Sequence, residues 1–220
     1  MVKKRVGVVL AGCGFLDGAE IQEAVLTLLS LDQRDADIIC MAPNVDQMHV
    51  VDHNAGEPAE SERRNVLVES ARIARCAVRD IADVSADELD ALVFPGGFGA
   101  AKNLCSFAVD GPDCSVNSHV DALIRSVHGQ GKPLGFICIA PALAAKVLGD
   151  LGPKLTIGND SGTAGAIESL GATHVDCSVD ECVVDERLRI ASTPAYMLGP
   201  SVAHVAKGID KCVGQVLAWA

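Results

Sequence analysis

The residue best placed to do chemistry is the thiol in Lys132-Pro133-Leu134-Gly135-Phe136-Ile137-Cys138-Ile139-Ala140-Pro141-Ala142-Leu143. An apolar run rises to Cys138, and small residues suited to a helix start follow at once. The pattern is that of a strand, a sharp turn and a helix, with the thiol at the turn. A side chain there is presented above the sheet at the positive end of a helix, which favours thiolate and lowers the thiol pKa. The serine form of this device is the nucleophile elbow of hydrolases. The same pattern also describes a buried cysteine closing a core strand, and Cys138 alone does not separate the two readings.

Two glycine-rich stretches are the next candidates. In Pro95-Gly96-Gly97-Phe98-Gly99 the glycines let backbone N–H groups approach a ligand. That suits half of an oxyanion hole, or a phosphate loop, or simply a tight turn before a helix. Neither Gly-x-Gly-x-x-Gly nor Gly-x-x-x-x-Gly-Lys-[Ser/Thr] is present there. In Gly12-Cys13-Gly14-Phe15-Leu16-Asp17-Gly18-Ala19-Glu20 the acids Asp17 and Glu20 stand where a phosphate would sit, so a nucleotide fingerprint fits poorly. Glu20 and Glu23 lie in the first turn of the helix that follows, where the dipole alone favours carboxylates. That helix carries Ile21, Val25, Leu28 and Leu29 on one stripe, expected to face the core. Glu23 then points to solvent unless a loop or second subunit covers it.

None of the six histidines (49, 53, 119, 128, 174 and 204) neighbours Cys138 in sequence. His49 and His53 have metal-like spacing only if helical, and their surroundings are not helical, so no metal site is expected. His204, on the last helix, reads as a surface or packing residue. Tyr196 in Ser192-Thr193-Pro194-Ala195-Tyr196 suits a pocket wall, the core or an interface equally.

Alternating strands and helices must position these residues. Strands are expected at 6–11, 36–42, 91–94, 134–138 and 173–176, with an appended hairpin of 182–185 and 189–193. Helices are expected at 19–31, 62–77, 116–130, 140–149, 162–170 and 201–219. Short apolar strands between helices imply a mostly parallel, doubly wound α/β sheet covered on both faces. Residues 1–220 then form a single domain, without repeat or linker. Ligands of such sheets bind beyond the carboxyl ends of the strands, where the loops at Gly12, Pro95 and Cys138 fall. The irregular stretch 44–61, and 98–118, which is loop-like at its centre around Gly111-Pro112-Asp113, are long enough to be site-forming.

Composition narrows the partners. Of 220 residues 49% are hydrophobic but only 3% aromatic, so small aliphatic side chains do the packing. A net charge of -11 argues against nucleic acid or an anionic membrane. Nine scattered cysteines, an odd number with no Cys-x-x-Cys, imply a reducing compartment. Met1-Val2-Lys3-Lys4 runs straight into the first strand, too short for a signal peptide, and the expected location is cytoplasmic.

Taken together, the first-helix glutamates, the strand ending in Pro95-Gly96-Gly97-Phe98-Gly99-Ala100-Ala101-Lys102-Asn103-Leu104, the elbow Gly135-Phe136-Ile137-Cys138-Ile139-Ala140-Pro141 and Ser192-Thr193-Pro194-Ala195-Tyr196-Met197 resemble the PfpI-like relatives of class I glutamine amidotransferases. Within them the chain is similar, over essentially its whole length, to the ElbB subgroup of enhancing lycopene biosynthesis or sigma cross-reacting proteins. The resemblance implies a flavodoxin-like, amidotransferase-like fold. It also implies a catalytic Cys138 hydrogen-bonded by Glu23, with the N–H groups of Gly97 and Ile139 as an oxyanion hole. Glu20, Gly96, Asn103 and Tyr196 are candidate pocket residues.

The resemblance further implies a homodimer with the first helix near the contact. The amidotransferase histidine base has no counterpart after Leu155-Thr156-Ile157, where Gly158-Asn159-Asp160 stands, which argues against glutamine hydrolysis. The implied activity is instead that of a glutathione-independent glyoxalase. It would convert glyoxal or a similar 2-oxoaldehyde to a 2-hydroxy acid, without metal, nucleotide or other cofactor. A cysteine redox sensor and a non-catalytic factor linked to isoprenoid biosynthesis are the alternatives.

Overall fold

The computed structural model describes residues 3–220. Its centre is a seven-stranded sheet built from β1 (Arg5–Val9), β2 (Asp37–Ala42), β5 (Val78–Asp80), β6 (Ala91–Phe94), β7 (Leu134–Ile137), β10 (Val183–Asp185) and β11 (Ile190–Thr193). The order is β10-β11-β7-β6-β1-β2-β5, and every neighbouring pair is parallel except the β10–β11 hairpin. The expected α/β architecture is therefore present, and the hairpin is stitched in through β11, which pairs with β7. Two small pairs lie outside it: β3 (Val51–Asp52) with β4 (Glu57–Pro58), and β8 (Lys154–Leu155) with β9 (Thr173–His174).

The helices are α1 (Ile21–Asp32), α2 (Val66–Ile73), α3 (Phe98–Lys102), α4 (Phe107–Asp110), α5 (Ser118–Gly129), α6 (Pro141–Leu148), α7 (Ser161–Ser169) and α8 (Val202–Trp219). Alternation along the strands splits the core in two. Val9, Phe94 and Phe136 join one cluster with α5 and α6, while Val6, Val8, Leu10 and Ile137 join another with α1 and α8. On α8, Val205, Ile209, Cys212, Val213 and Val216 form the buried stripe. On the other face Phe94 and Phe136, partners in the β6–β7 register, stack with centroids 5.0 Å apart.

Several expectations change. Residues 173–176 do not join the central sheet; only Thr173–His174 pairs, with β8. The edge strand β5 is three residues long and partly exposed, too brief to carry an alternating pattern. The expected helix 62–77 shrinks to α2, because Asn65 caps it by accepting a hydrogen bond from the Val68 N–H at 3.1 Å. The stretch 98–118 contains α3 and α4 rather than a plain loop.

The largest correction concerns α1. Its buried face is Glu23, Ala24, Thr27, Ser30 and Leu31, while Ile21, Val25 and Leu29 face outward. Small side chains let α1 lie close to its neighbours, and the polar ones among them find partners. The Thr27 hydroxyl donates to the Glu23 carbonyl at 2.7 Å, and the Ser30 hydroxyl donates to the Asp210 carboxylate on α8 at 2.7 Å. Burial with satisfied hydrogen bonds has outweighed hydropathy on this helix.

The stacked Phe94–Phe136 pair is fully buried, so truncating it leaves a cavity that the sheet cannot collapse into. Phe136→Ala is expected to lower unfolding free energy by about 3–5 kcal/mol, read by urea titration. A loss under about 1 kcal/mol would show that the pair does not organise this core.

Candidate functional site

Cys138 sits one residue beyond β7, and α6 begins at Pro141. Its φ is +63°, a left-handed conformation costly for a residue with a Cβ, and its N–H is held by the Thr193 carbonyl at 2.9 Å. A strand, a strained turn and a helix thus follow one another at Cys138. The thiol is 7% exposed and lies on the wall of a cavity of about 480 Å³.

Glu23 meets this thiol from α1. Its side chain is wholly buried, and it and the Cys138 thiol shift each other's pKa. One carboxyl oxygen accepts the Gly96 N–H at 3.0 Å and the other the Tyr196 N–H at 3.1 Å. Gly96 is glycine for a steric reason: a Cβ there would stand 2.4 Å from Cys138 Cβ and 2.6 Å from Glu23 Oε2. Gly97 has φ +93°, and a Cβ on it would strike the Glu20 nitrogen at 2.3 Å. The consecutive glycines let the β6–α3 turn close over both acids. The backbone N–H groups of Gly97 and Ile139 both act to lower the Cys138 pKa.

The electrostatics differ from those expected of an elbow thiol. Burial, then the neighbouring Glu23 charge, hold the Cys138 pKa well above the usual thiol value, and the two backbone N–H groups only partly oppose them. The expected lowering by the α6 N-terminus is therefore reversed. Burial likewise pushes Glu23 up to about 8, against the pull of the Tyr196 N–H. Two acids in one dry site cannot both ionise near neutrality, so the pair holds at least one proton.

The other candidates divide. Glu20, Gly97, Ile139 and Tyr196 all line the cavity with Cys138. Glu20 caps α1 by accepting the Glu23 N–H at 2.6 Å, and burial raises its pKa. The Tyr196 hydroxyl donates to Gln22. Gly96 lies behind the acid pair rather than on the cavity wall.

Asn103 is not a pocket residue. It donates to the Ala11 and Asp17 carbonyls at 2.9 and 2.8 Å and accepts the Met48 N–H at 2.9 Å, pinning the 44–61 stretch to the body. Among the described residues no histidine lines the cavity. Both ring nitrogens of His53 are engaged by backbone, at Leu16 and Val51. No group of three or more His, Cys, Asp or Glu among the described residues is arranged to hold a metal ion, and no described helix is long and apolar enough to cross a membrane. The motifs gave no notice of Phe15, Phe98, Phe107 and Met197 as cavity residues, although the first two sit inside the glycine-rich stretches themselves.

A parallel α/β sheet with an elbow cysteine, a buried glutamate and a glycine turn at its carboxyl edge defines the class I glutamine amidotransferase-like fold, shared with DJ-1/ThiJ/PfpI proteins. No protein-family model matches the chain. A human protein, glutamine amidotransferase-like class 1 domain-containing protein 3, mitochondrial, is 48% identical over 222 residues, covering 97% of this chain and 82% of its own length. The rat ES1 protein homolog, mitochondrial, is 47% identical over 224 residues, covering 98% and 84%.

Among solved structures, an isoprenoid biosynthesis protein with amidotransferase-like domain from Ehrlichia chaffeensis superposes with TM-score 0.92 at 41% identity, over 98% of this chain and 99% of that one. Glyoxalase III from Candida albicans superposes with TM-score 0.62 at 14% identity, over 98% and 96%, a likeness of fold alone. The chain belongs to the ES1 family of glutamine amidotransferase-like class 1 domain proteins. The expected cytoplasmic location is overturned by these relatives, whose names are mitochondrial. Free thiols report a reducing milieu, which is not unique to the cytosol, and an organelle address is not written in a packed fold.

The raised Glu23 pKa has a stability consequence. A carboxyl with a native value of about 8 and an ordinary value of 4.5 binds its proton more tightly when folded. Its contribution is complete below pH 4.5, declines as pH rises toward 8 and is lost above that. Denaturant titrations from pH 5 to 9 should show stability falling by a few kcal/mol, and Glu23→Gln should flatten the curve. Parallel curves for the two proteins would mean that Glu23 titrates normally.

Proposed function

We propose that the protein is a cofactor-independent glyoxalase of the ElbB type, converting a 2-oxoaldehyde to a 2-hydroxy acid. The observation that carries this reading is the Cys138 thiol on the wall of a cavity beside a fully buried carboxyl, the two meeting across Gly96, where one added Cβ would stand 2.4 Å from Cys138 Cβ and 2.6 Å from Glu23 Oε2. Ionised Glu23 takes the thiol proton as Sγ attacks the aldehyde carbon, forming a hemithioacetal. The Gly97 and Ile139 N–H groups hold the oxyanion, which then takes the proton from Glu23. Glu23 next removes the proton from the former aldehyde carbon and delivers it to the adjacent carbon through an enediol, while the hemithioacetal hydroxyl proton passes to the former ketone oxygen. The result is a thioester of the 2-hydroxy acid, which water cleaves, restoring the thiol.

Against a peroxide-sensing role stands the protonated resting thiol, since thiolate is the form that oxidises readily. The test is glycolate production from glyoxal. Cys138→Ser and Glu23→Gln are each expected to lower turnover at least roughly 100-fold. Full turnover in both variants would sink the assignment.

We further infer that a second copy of the chain covers α1. Ile21, Val25 and Leu29 stand one turn apart and are 44%, 49% and 47% exposed, an apolar line on the outer face of the helix that carries Glu23. Light scattering should give twice the chain mass, and Val25→Lys should give the monomer. A wild-type monomer at micromolar concentration would refute the dimer.

A further inference from the structure

The chain holds five phenylalanines, one tyrosine and one tryptophan. Phe94 and Phe136 are fully buried in the core. The remaining three, Phe15, Phe98 and Phe107, all line the cavity above Cys138, and so does the only tyrosine, Tyr196. They come from four separate segments: the β1–α1 loop, the start of α3, the start of α4 and the turn after β11. In a chain with so few aromatic residues, this convergence is the most uneven feature of its composition. Phe15 meets His53 edge-on with ring centroids 5.6 Å apart and Phe98 carries the Lys102 ammonium 5.1 Å from its ring centre, yet the two remain 49% and 47% exposed. Apolar surface left wet on two sides of one cavity marks a place where a ligand completes the packing.

The other walls point the same way. Ala101 and Ala108 leave room between the rings, and Met197 supplies an adaptable apolar contact. Among the described residues no lysine, arginine or histidine lines the cavity, and its one lining carboxyl is Glu20. Lys102, whose Nζ lies 5.1 Å from the Phe98 ring centre, is engaged by the Leu16 carbonyl at 3.0 Å. The volume, about 480 Å³, falls in the range of roughly 300–1,000 Å³ found for pockets that bury drug-sized ligands. Glyoxal, the smallest dialdehyde, would touch few of these side chains.

We propose that the cavity recognises an uncharged aryl group attached beside the reacting aldehyde, so that arylglyoxals are the preferred substrate class over glyoxal. This rests on the aldehyde-converting reading of Cys138 and Glu23. The balance of the reaction is unchanged. Sγ bonds to the aldehyde carbon, that carbon's hydrogen moves as a proton to the ketone carbon, and water cleaves the thioester to give an aryl 2-hydroxy acid. No external oxidant or reductant enters.

Two measurements test the proposal and keep it separable from the reading beneath it. The first compares conversion of phenylglyoxal to mandelate with conversion of glyoxal to glycolate. The expected kcat/KM ratio favours phenylglyoxal at least roughly tenfold. Phe98→Ala and Phe15→Ala should each reduce that ratio at least about threefold, and Phe98→Tyr, which keeps a ring, should preserve it. The second asks whether acetophenone, an aryl ketone with no aldehyde, protects Cys138 from iodoacetamide, read by peptide mass spectrometry. Protection in the wild type and its loss in Phe98→Ala are expected.

If acetophenone protects but neither aldehyde is converted, the glyoxalase reading fails and the aryl site stands. If glyoxal is converted at least as efficiently as phenylglyoxal and acetophenone gives no protection, the aryl proposal is overturned and the glyoxalase reading stands.

Discussion

A thiol and a carboxyl share one water-poor site at the carboxyl edge of the sheet, and much of the surrounding geometry follows from that contact. The carboxyl would not be tolerated there without partners. The Glu23 carboxyl is accepted because the Gly96 and Tyr196 N–H groups and the Cys138 thiol surround it. Gly96 must lack a side chain for the two acids to approach, and Cys138 must hold φ +63° to turn its sulfur toward the carboxyl. Burial raises both pKa values, so the resting pair keeps a proton. The same burial makes the pair costly to ionise, which ties reactivity to fold stability through one residue.

The first helix shows how far that contact reaches. To bring Glu23 under the β6–α3 turn, α1 turns Ala24, Thr27, Ser30 and Leu31 inward and its larger apolar side chains outward. Ser30 and Arg34 are held by Asp210 of α8, which fixes the rotation of the helix about its axis. A rotation placing Ile21, Val25 and Leu29 inward would swing Glu23 away from Cys138. Site geometry and surface apolarity are therefore two consequences of one helix orientation.

Legibility in the sequence follows the same division. Strands buried on both faces, such as Ala91–Phe94 and Leu134–Ile137, stand out because every residue is apolar. The short edge strand Val78–Asp80 and the two-residue pairings do not, since too few residues carry the pattern. Cys138 and the Gly96-Gly97 pair stand out by their motif neighbourhoods, whereas the roles expected of Glu23, Gly97 and Ile139 come only through the family resemblance. Asn103 sits within such a motif yet acts as a clamp on the 44–61 stretch, because an amide serves a backbone carbonyl as readily as a ligand. The aromatic lining of the cavity is invisible along the chain, as its members are dispersed from Phe15 to Tyr196.

By itself the sequence determines the alternation of strands and helices, the strand-to-helix turn at Cys138 and the glycine turn at Gly96 and Gly97, because each is a short-range matter of pattern and backbone freedom. Tertiary structure alone decides which face of α1 is buried, the direction of both pKa shifts and the convergence of the aromatic side chains. Those depend on distances between segments far apart in the chain. Desolvation is set by everything packed around a group, not by its neighbours in sequence.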